Sequence, residues 1–512
     1  MYKVVIPSAG VGSRSGCTVN KALTTIADKP MIAHVIDHFP DAEEIIVILG
    51  FQAWYVKQVL EALYGNRITI METDTYTKGL GYTLRTAAGL LAHTPFIFCP
   101  NDAMFVEKEK INCDPSVYGN WMGYCDELEA DLDVTEYRTV EIIDGIVTRI
   151  NPKGFTLSKN IYTGLCGVKD TEEFWKLMLD YAAIEAGESH GLKALSNIKA
   201  IEFESWRDGG GARSLARIKE ANPSEFHVLE KPDEAIWFSG QQVIKFSTST
   251  RFIEDRVSRL GHLDPGLLPE VLNWNDNLYT YRRVDGQIIS DILDEAMFTR
   301  LFDTMQHRVW NHRSSAKYDY YRFYQHKTYD RLGLFFKRDE CIDRRETINA
   351  VPVPTTWELL QQMNWNELCR RPYVAHYHGD FHNENILVTD DGEFKLLDWR
   401  QDFDGDLEFG DVYYDLAKFM HGLIVSHAAV DKGDYRVDRL ADGDVVIGIA
   451  RPENLGRVQK VFVEWLVQNN FDPKRVQILT ALVFLNICPL HHYPYSLFLY
   501  YLGKRMLTEA LS

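Results

Sequence analysis

The chain lacks the marks of several protein classes. None of the eight cysteines, Cys17, Cys99, Cys113, Cys125, Cys166, Cys341, Cys369 and Cys488, pairs at C-x-x-C spacing. A zinc ribbon or dithiol redox centre therefore has no support. Positive charge is scarce: 55 Lys and Arg stand against 73 Asp and Glu, a net charge of −18. That balance argues against a general nucleic-acid binder, which needs a basic surface to collect phosphates, although a local pocket can still be positive. The most apolar late segment, TALVFLNICPLHHYPYSLFLYYLG, is broken by Pro489, His491, His492 and Pro494. It falls short of the roughly 18 uninterrupted apolar residues of a spanning helix, so no membrane insertion is expected. The opening MYKVVIPSAG has no charged n-region or long apolar h-region, and we expect a soluble, cytoplasmic protein. Neither internal repeat nor low-complexity tract is present. A composition of 46% hydrophobic and 25% charged residues excludes collagen-like and wholly disordered chains.

At 512 residues the length sets a prior of about three domains. The pattern divides the chain in two. Up to residue 224, the strand-like runs KVVIP, EIIVILG, ITIMET and PFIFCP alternate with amphipathic stretches such as MIAHVIDHF, WYVKQVLEALYG and YTLRTAAGLLAH. Such alternation predicts βαβ units and a mainly parallel, Rossmann-like α/β sheet. TVEIIDGIVTRINPKG carries Asp144-Gly145 between two alternating runs and reads as a hairpin. From 225 the pattern resets. FHVLEKPDEAIWFSGQQVIKFST predicts a small antiparallel sheet, giving a small lobe over about 225–285. A mostly helical large lobe over about 286–512 follows, interrupted by the strand–turn–strand unit in HGDFHNENILVTDDGEFKLLDWR.

The first chemical site begins after the first strand run. Gly10 and Gly12, in SAGVGSR, allow a tight backbone turn that presents N–H groups to an anion. Arg14 and Lys21 can neutralise a triphosphate. This is not a dinucleotide fingerprint, because Ser15 stands where the third glycine of G-x-G-x-x-G belongs. Asp102 follows PFIFCP and Asp208 follows AIEFESW, both at ends of strand-like runs, where carboxylates can hold Mg²⁺. Taken in order, Gly10-x-Gly12-Ser13-Arg14, Asn20-Lys21, Gly79-Leu80-Gly81, Asn101-Asp102 and Trp206-x-Asp208-Gly209 resemble the sugar-phosphate nucleotidyltransferases, including their phosphocholine cytidylyltransferase relatives. The resemblance covers roughly the first 220 residues. It implies that Gly10, Gly12, Ser13 and Arg14 hold a nucleoside triphosphate and that Lys21 neutralises charge near the scissile phosphate. It further implies that Gly79–Gly81 packs against the base and that Asp102 and Asp208 bind Mg²⁺. Two departures touch the choice of acceptor: the Arg14-to-Lys21 interval is short, and Asn20 replaces the usual proline.

The second site lies in Tyr377-His378-Gly379-Asp380-Phe381-His382-Asn383-Glu384-Asn385, with Asp398 beyond it in LLDWR. A base, an amide metal ligand and a carboxylate metal ligand on adjoining loops are what phosphoryl transfer from ATP to a hydroxyl requires. Lys245, in the strand run QVIKF, can pair with phosphates, and Glu254, with Asp255 as competitor, can hold that lysine. No H-E-x-x-H or similar set accompanies His378 and His382, which we read as structural. The set resembles the aminoglycoside phosphotransferase and choline kinase superfamily over about 225–510. That resemblance implies a bilobal, protein-kinase-like α+β domain, with Asp380 as catalytic base, Asn385 and Asp398 as Mg²⁺ ligands and Lys245 on the ATP phosphates. Gly410-Asp411-x-x-Tyr414-Asp415-Leu416-Ala417 resembles a downstream superfamily segment taken as mainly structural.

A kinase followed by a nucleotidyltransferase implies two consecutive steps. A small hydroxyl compound is phosphorylated by ATP and then joined to a nucleoside monophosphate from CTP or UTP, giving an activated precursor for a surface polysaccharide. Arg400, directly after Asp398-Trp399, would repel a quaternary ammonium and suits a sugar, a polyol or an acidic compound better, with a sugar or polyol preferred. Choline or ethanolamine is the alternative, with Tyr413, Tyr414, His491, His492, Tyr493 and Tyr495 as a candidate aromatic wall. A reading of another class leaves one domain inactive, as a binding module. Homo-oligomerisation remains open.

Overall fold

The computed structural model describes residues 2–12, 19–74, 76–105, 111–125, 134–179, 187–224, 231–338, 341–440 and 443–512. Packing divides the chain into two compact units, Met1–Thr250 with Leu272–Tyr281, and Arg251–Val271 with Arg282–Ser512. The sequence boundary at 224/225 falls at the edge of 225–230, outside the described residues.

The first unit is built on a nine-stranded sheet among the described residues. Its order is Ile68–Glu72, Glu44–Leu49, Lys3–Ser8, Phe96–Phe98, Ile161–Val168, Trp121–Cys125, Lys199–Glu202, Ile146–Ile150 and Val140–Ile143. All four strand runs read from the sequence are strands of this sheet and pair in parallel: Val4 lies opposite Ile45 and Ile97, and Ile46 opposite Thr69. Ile161–Val168 and Ile146–Ile150 run against the others, so the sheet is mainly parallel. Near-continuous Val and Ile runs suit strands covered on both faces, and Val4, Val5, Ile6, Ile46, Val47 and Ile48 are fully buried. The amphipathic stretches form the helices Met31–Asp37, Ala53–Tyr64, Leu80–Arg85 and Ala88–Leu91. The Asp-Gly hairpin is present, with Asp144 at φ 50° and Gly145 at φ 75°, the left-handed pair of a tight hairpin turn.

The small sheet also belongs with this unit. Glu234–Ser239 pairs antiparallel with Gln242–Ser247 across the Ser239-Gly240 turn, and the sheet continues through Leu278–Arg282 to Val271–Trp274. Its strands are tied to residues of the first 224. Trp237 Nε1 donates to Thr25 Oγ1 at 2.9 Å, Phe238 N to Asp28 O at 2.8 Å, and Gln58 Nε2 to Asn277 Oδ1 at 3.2 Å. Trp237 and Ile244 are fully buried, sharing one core with the large sheet.

The second unit is mainly helical. Asp411 caps Val412–Ile424 by accepting from Tyr413 N at 3.2 Å, and Asp472 caps Pro473–Ile487 by accepting from Lys474 N at 2.9 Å, with proline at the first helical position. Pro473–Ile487 packs along Tyr495–Leu511 and against Val412–Ile424. Phe298, Phe302, Phe419, Phe462 and Trp465 form an aromatic nest into which Phe381 of the HGDFHNEN loop stacks, 5.5 Å from Phe419. Burying a phenylalanine is worth about 1.5–3 kcal/mol, so this loop is anchored by the ring next to its acidic residue. Among the described residues, no helix is long and apolar enough to cross a membrane.

Candidate active sites

In the first unit a cavity of about 780 Å³ opens at the C-terminal edge of the parallel strands. Gly10, Gly12, Lys21, Gly79, Asp102 and Asp208 all line it. Ser13 and Arg14 lie outside the described residues. Gly81 is buried within Leu80–Arg85 and is not among the cavity-lining residues, and Gly79, at φ 101°, precedes that helix in a backbone region suited to glycine.

Each acidic residue has a local reason for its place. Trp206–Asp208 pairs antiparallel with Ala103–Phe105, Asp208 opposite Ala103, and Gly209 N donates to Asp102 O at 2.8 Å. This ladder brings two carboxylates together that lie far apart in sequence. Lys21 Nζ stands 2.5 Å from Asp102 Oδ2. Asp208 accepts from Tyr137 OH at 2.6 Å and from Gly210 N at 2.9 Å. Burial, and then the charge of Asp102, raise its pKa above the ordinary carboxylate value. Two carboxylates open to one cavity, with Asp208 raised in part by the charge of Asp102, are a donor set that fits a divalent cation.

Asn20 performs the work that the departure from proline left open. It is buried, its side chain accepts from Ala22 N at 3.0 Å and donates to Phe51 O at 2.6 Å, and its own N–H donates to Gln52 Oε1 at 2.6 Å. The turn bearing Lys21 is thereby fixed. Sequence reading missed the far wall of the cavity, where Glu188, Tyr162, Arg138 and Lys153 stand. Burial pushes the Glu188 carboxyl up to about 7. These four come from separate segments with no shared motif, so only the fold joins them.

In the second unit, Ile386–Val388 and Phe394–Leu396 form the expected hairpin, with Ile386 opposite Leu396. Asn385 and Asp398 therefore flank the same end of the ladder, and Leu397 N donates to Asn385 O at 2.7 Å. Asn385 Nδ2 donates to Asp380 O at 2.9 Å and Asp380 Oδ2 at 3.2 Å. Asp398, at φ 55°, holds an uncommon left-handed backbone and pairs with Arg256 NH1 at 3.1 Å. One amide and two carboxylates gathered on two adjoining loops are a donor set that suits Mg²⁺.

Asp380 has a partner the sequence reading did not name: Lys418 Nζ is 2.6 Å from its Oδ1. Burial raises the Asp380 pKa, but Lys418 outweighs it and holds the carboxyl well below the usual range. Behind the loop, Asp415 accepts from His378 N at 2.8 Å, Gly379 N at 2.6 Å and Trp310 Nε1 at 3.1 Å. Arg259, fully buried, donates to the carbonyls of Leu407, His378, Arg400 and Tyr377 and lies 3.9 Å from the Tyr377 ring centroid. His382 caps the Asn383–Asn385 turn, accepting from Glu384 N at 3.3 Å. Asp411 accepts from Tyr324 OH at 3.0 Å and pairs with Arg475 at 3.1 Å.

Lys245 is buried in Gln242–Ser247, opposite Ile236. Glu254 is exposed on Thr250–Ser258, while Asp255 pairs with Arg251 at 3.4 Å.

Residues 4–112 match the family of MobA-like NTP transferase domains, and residues 310–440 match the phosphotransferase enzyme family. The chain thus carries a nucleotidyltransferase-like domain followed by a kinase-like phosphotransferase domain. It is 32% identical over 92 residues to the bifunctional protein GlmU of Symbiobacterium thermophilum, 18% of each chain. With GlmU of Bordetella petrii it shares 32% over 93 residues, 18% of this chain and 20% of that one. The chain spans about a fifth of the length of these curated relatives. Among solved structures, CTP:phosphocholine cytidylyltransferase of Streptococcus pneumoniae is 18% identical, covering 43% of this chain and 98% of its own, with a TM-score of 0.34. The inositol-1-phosphate CTP transferase of T. maritima is 14% identical, covering 43% and 94%, with a TM-score of 0.36.

Proposed function

We propose that the chain phosphorylates a small hydroxyl compound, a sugar or polyol, with ATP and then couples the phosphate to CTP or UTP. The product is a nucleotide-activated precursor for a surface polysaccharide, made in the cytoplasm. The functional boundary is placed at 224/225, with the small lobe over 225–285 and the large lobe over 286–512. The observation that carries the reading is that each compact unit brings together its own pair of carboxylates with a polar or charged companion. One is Lys21, Asp102 and Asp208 on a single cavity, and the other is Asp380, Asn385 and Asp398 at one hairpin end.

In the first step the acceptor hydroxyl oxygen bonds to the γ-phosphorus of ATP. The bond from that phosphorus to the β,γ-bridging oxygen breaks, ADP departs with the electron pair, and the hydroxyl proton passes to Asp380. Asn385 and Asp398 would hold Mg²⁺, and Lys245 would contact the ATP phosphates with Glu254 as its support. In the second step a phosphate oxygen of the product bonds to the α-phosphorus of the second triphosphate, and pyrophosphate leaves. Gly10, Gly12, Ser13 and Arg14 cradle that triphosphate, the Gly79–Gly81 segment packs against the base, Lys21 offsets charge at the α-phosphate, and Asp102 and Asp208 would hold Mg²⁺. In both sites bound Mg²⁺ supplies neutralisation of phosphate charge, and positioning carries most of the remaining rate. Product analysis by mass spectrometry, with ATP, each nucleoside triphosphate and a panel of hydroxyl compounds, tests the reading. A phosphorylated compound that is consumed only when CTP or UTP is added supports it. Phosphorylation of proteins or drugs without onward transfer defeats it.

A further inference from the structure

The phosphotransferase site holds more positive charge than the transfer step itself uses. Asp380 divides its two oxygens: Oδ2 faces Asn385 Nδ2 at 3.2 Å, on the side where ATP and its metal belong, and Oδ1 faces Lys418 Nζ at 2.6 Å. On the Lys418 side stand two further cations joined by a ring. Lys327 Nζ lies 4.5 Å from the Phe323 centroid and 5.9 Å from that of Tyr414, and the Arg400 guanidinium lies 4.9 Å from Phe323. Arg400 is pressed against the catalytic loop, since a Cβ on Gly379 would come within 2.5 Å of its own Cβ.

These cations are poorly compensated. Arg400 donates Nε to Asp402 O at 2.8 Å, and among the described residues neither its terminal nitrogens nor Lys327 Nζ has a hydrogen-bond partner. Neighbouring carboxylates are engaged elsewhere: Asp404 pairs with Arg322 at 2.5 Å, and Asp402 Oδ1 accepts from Gly405 N at 2.7 Å. Of the charges acting most strongly on Lys327, Arg400, Lys418 and Arg331 oppose its ammonium and Asp380 favours it. Burial, followed by these like charges, pulls its ammonium well below its ordinary value. A quaternary ammonium or an amino sugar brought here would add to the repulsion. An anion would relieve it, and the Phe323 ring holds the two cations beside each other, with Tyr414 against Lys327 as well.

We propose that the acceptor of the phosphotransferase site is itself anionic, a small hydroxyl compound bearing a carboxylate or phosphate that Lys327 and Arg400 grip while its hydroxyl meets Asp380. The proposal rests on the reading of Asp380 as the site of phosphoryl transfer, and it narrows the sugar or polyol to an acidic one.

Full-length enzyme with ATP and Mg²⁺ would be assayed for ADP release with matched acceptors. The sets are glycerol, glycerate and glycerol 3-phosphate, and glucose, glucuronate and glucose 6-phosphate, with choline and ethanolamine alongside. The expected result is a kcat/KM at least tenfold higher for an acidic member than for its neutral parent, the better arm deciding between carboxylate and phosphate. Lys327→Met and Arg400→Met should each raise the KM of that acid tenfold or more and change the KM of ATP less than twofold, with partial rescue by Lys327→Arg and Arg400→Lys. Preference for a neutral or cationic acceptor overturns the proposal without any variant. So does a variant effect on ATP instead of the acid, which would assign these cations to the nucleotide. If no acceptor releases ADP above the Asp380→Asn background, the phosphotransferase reading fails first and takes this proposal with it.

Discussion

Lys418 Nζ and Asp380 Oδ1 stand 2.6 Å apart, so the residue read as the catalytic base is held ionised by a lysine on the helix behind it. Folding lowers the Asp380 pKa, and the pair's contribution to stability is present above the unfolded carboxylate value of about 3.9 and is lost only in stronger acid. The wild type should therefore show no acid limb from this group above pH 5. In Lys418→Met the opposing effect of burial is left unbalanced and the carboxyl rises. An acid limb should then enter the pH profile of ADP release, with the rate at pH 7 falling by about 10-fold or more.

Asp208 behaves in the opposite sense. Its pKa is raised on folding, by burial and by Asp102, so stability is fullest below the unfolded value and declines as pH climbs through the raised one. In EDTA at neutral pH, Asp208→Asn should raise the Tm of the first unit, while nucleotidyl transfer with Mg²⁺ falls by about 100-fold or more. A variant that loses stability as well as activity would show that Asp208 serves the fold.

Asp415→Ala leaves two buried backbone N–H groups, of His378 and Gly379, without their acceptor. The expected cost is about 2–5 kcal/mol in the second unit. Phosphotransfer should disappear near the lowered melting temperature while nucleotidyl transfer persists. Differential scanning calorimetry, with both activities measured on one preparation, checks this.

Asn20→Ala removes the cap and the Phe51 contact that fix the Lys21 turn. A cap is worth about 1 kcal/mol, so the chain should still fold. Displacing Lys21 should lower kcat/KM for nucleotidyl transfer by about 10-fold and leave ADP release unchanged.

Much of the fold was legible because its signals are local. Continuous β-branched runs between turn residues marked Lys3–Ser8, Glu44–Leu49, Ile68–Glu72 and Phe96–Phe98, and Asp144-Gly145 marked a hairpin. Strand order was not legible. The insertion of Ile161–Val168, antiparallel, between Phe96–Phe98 and Trp121–Cys125 is a long-range choice with no local pattern. Nor did any pattern disclose that the strands around Trp237 and Asn277 pack with the first unit, since their alternation specifies a buried face and not its partner. Within the sites, the loop residues Gly10, Lys21, Asp102, Asp208, Asp380, Asn385 and Asp398 stood out because glycines and carboxylates at strand ends are chemically conspicuous. Lys418 did not, and Asp415 was read only as part of a structural segment. They sit inside the apolar helix run DLAKFMHGL, and a charge buried in such a run was the signal available.

The central claim is that two independent transferase sites work in sequence on one compound. Phosphorus-31 NMR of the wild type, Asp380→Asn and Asp102→Asn, each given ATP, CTP or UTP, Mg²⁺ and a turned-over acceptor, tests it most directly. The account predicts a phosphomonoester that gives way to a diphosphate diester in the wild type. It predicts neither species from Asp380→Asn until the phosphomonoester is supplied, and a phosphomonoester that accumulates unconverted with Asp102→Asn. Wild-type conversion surviving either substitution, or both signals vanishing together in either variant with no rescue by added phosphomonoester, would contradict it.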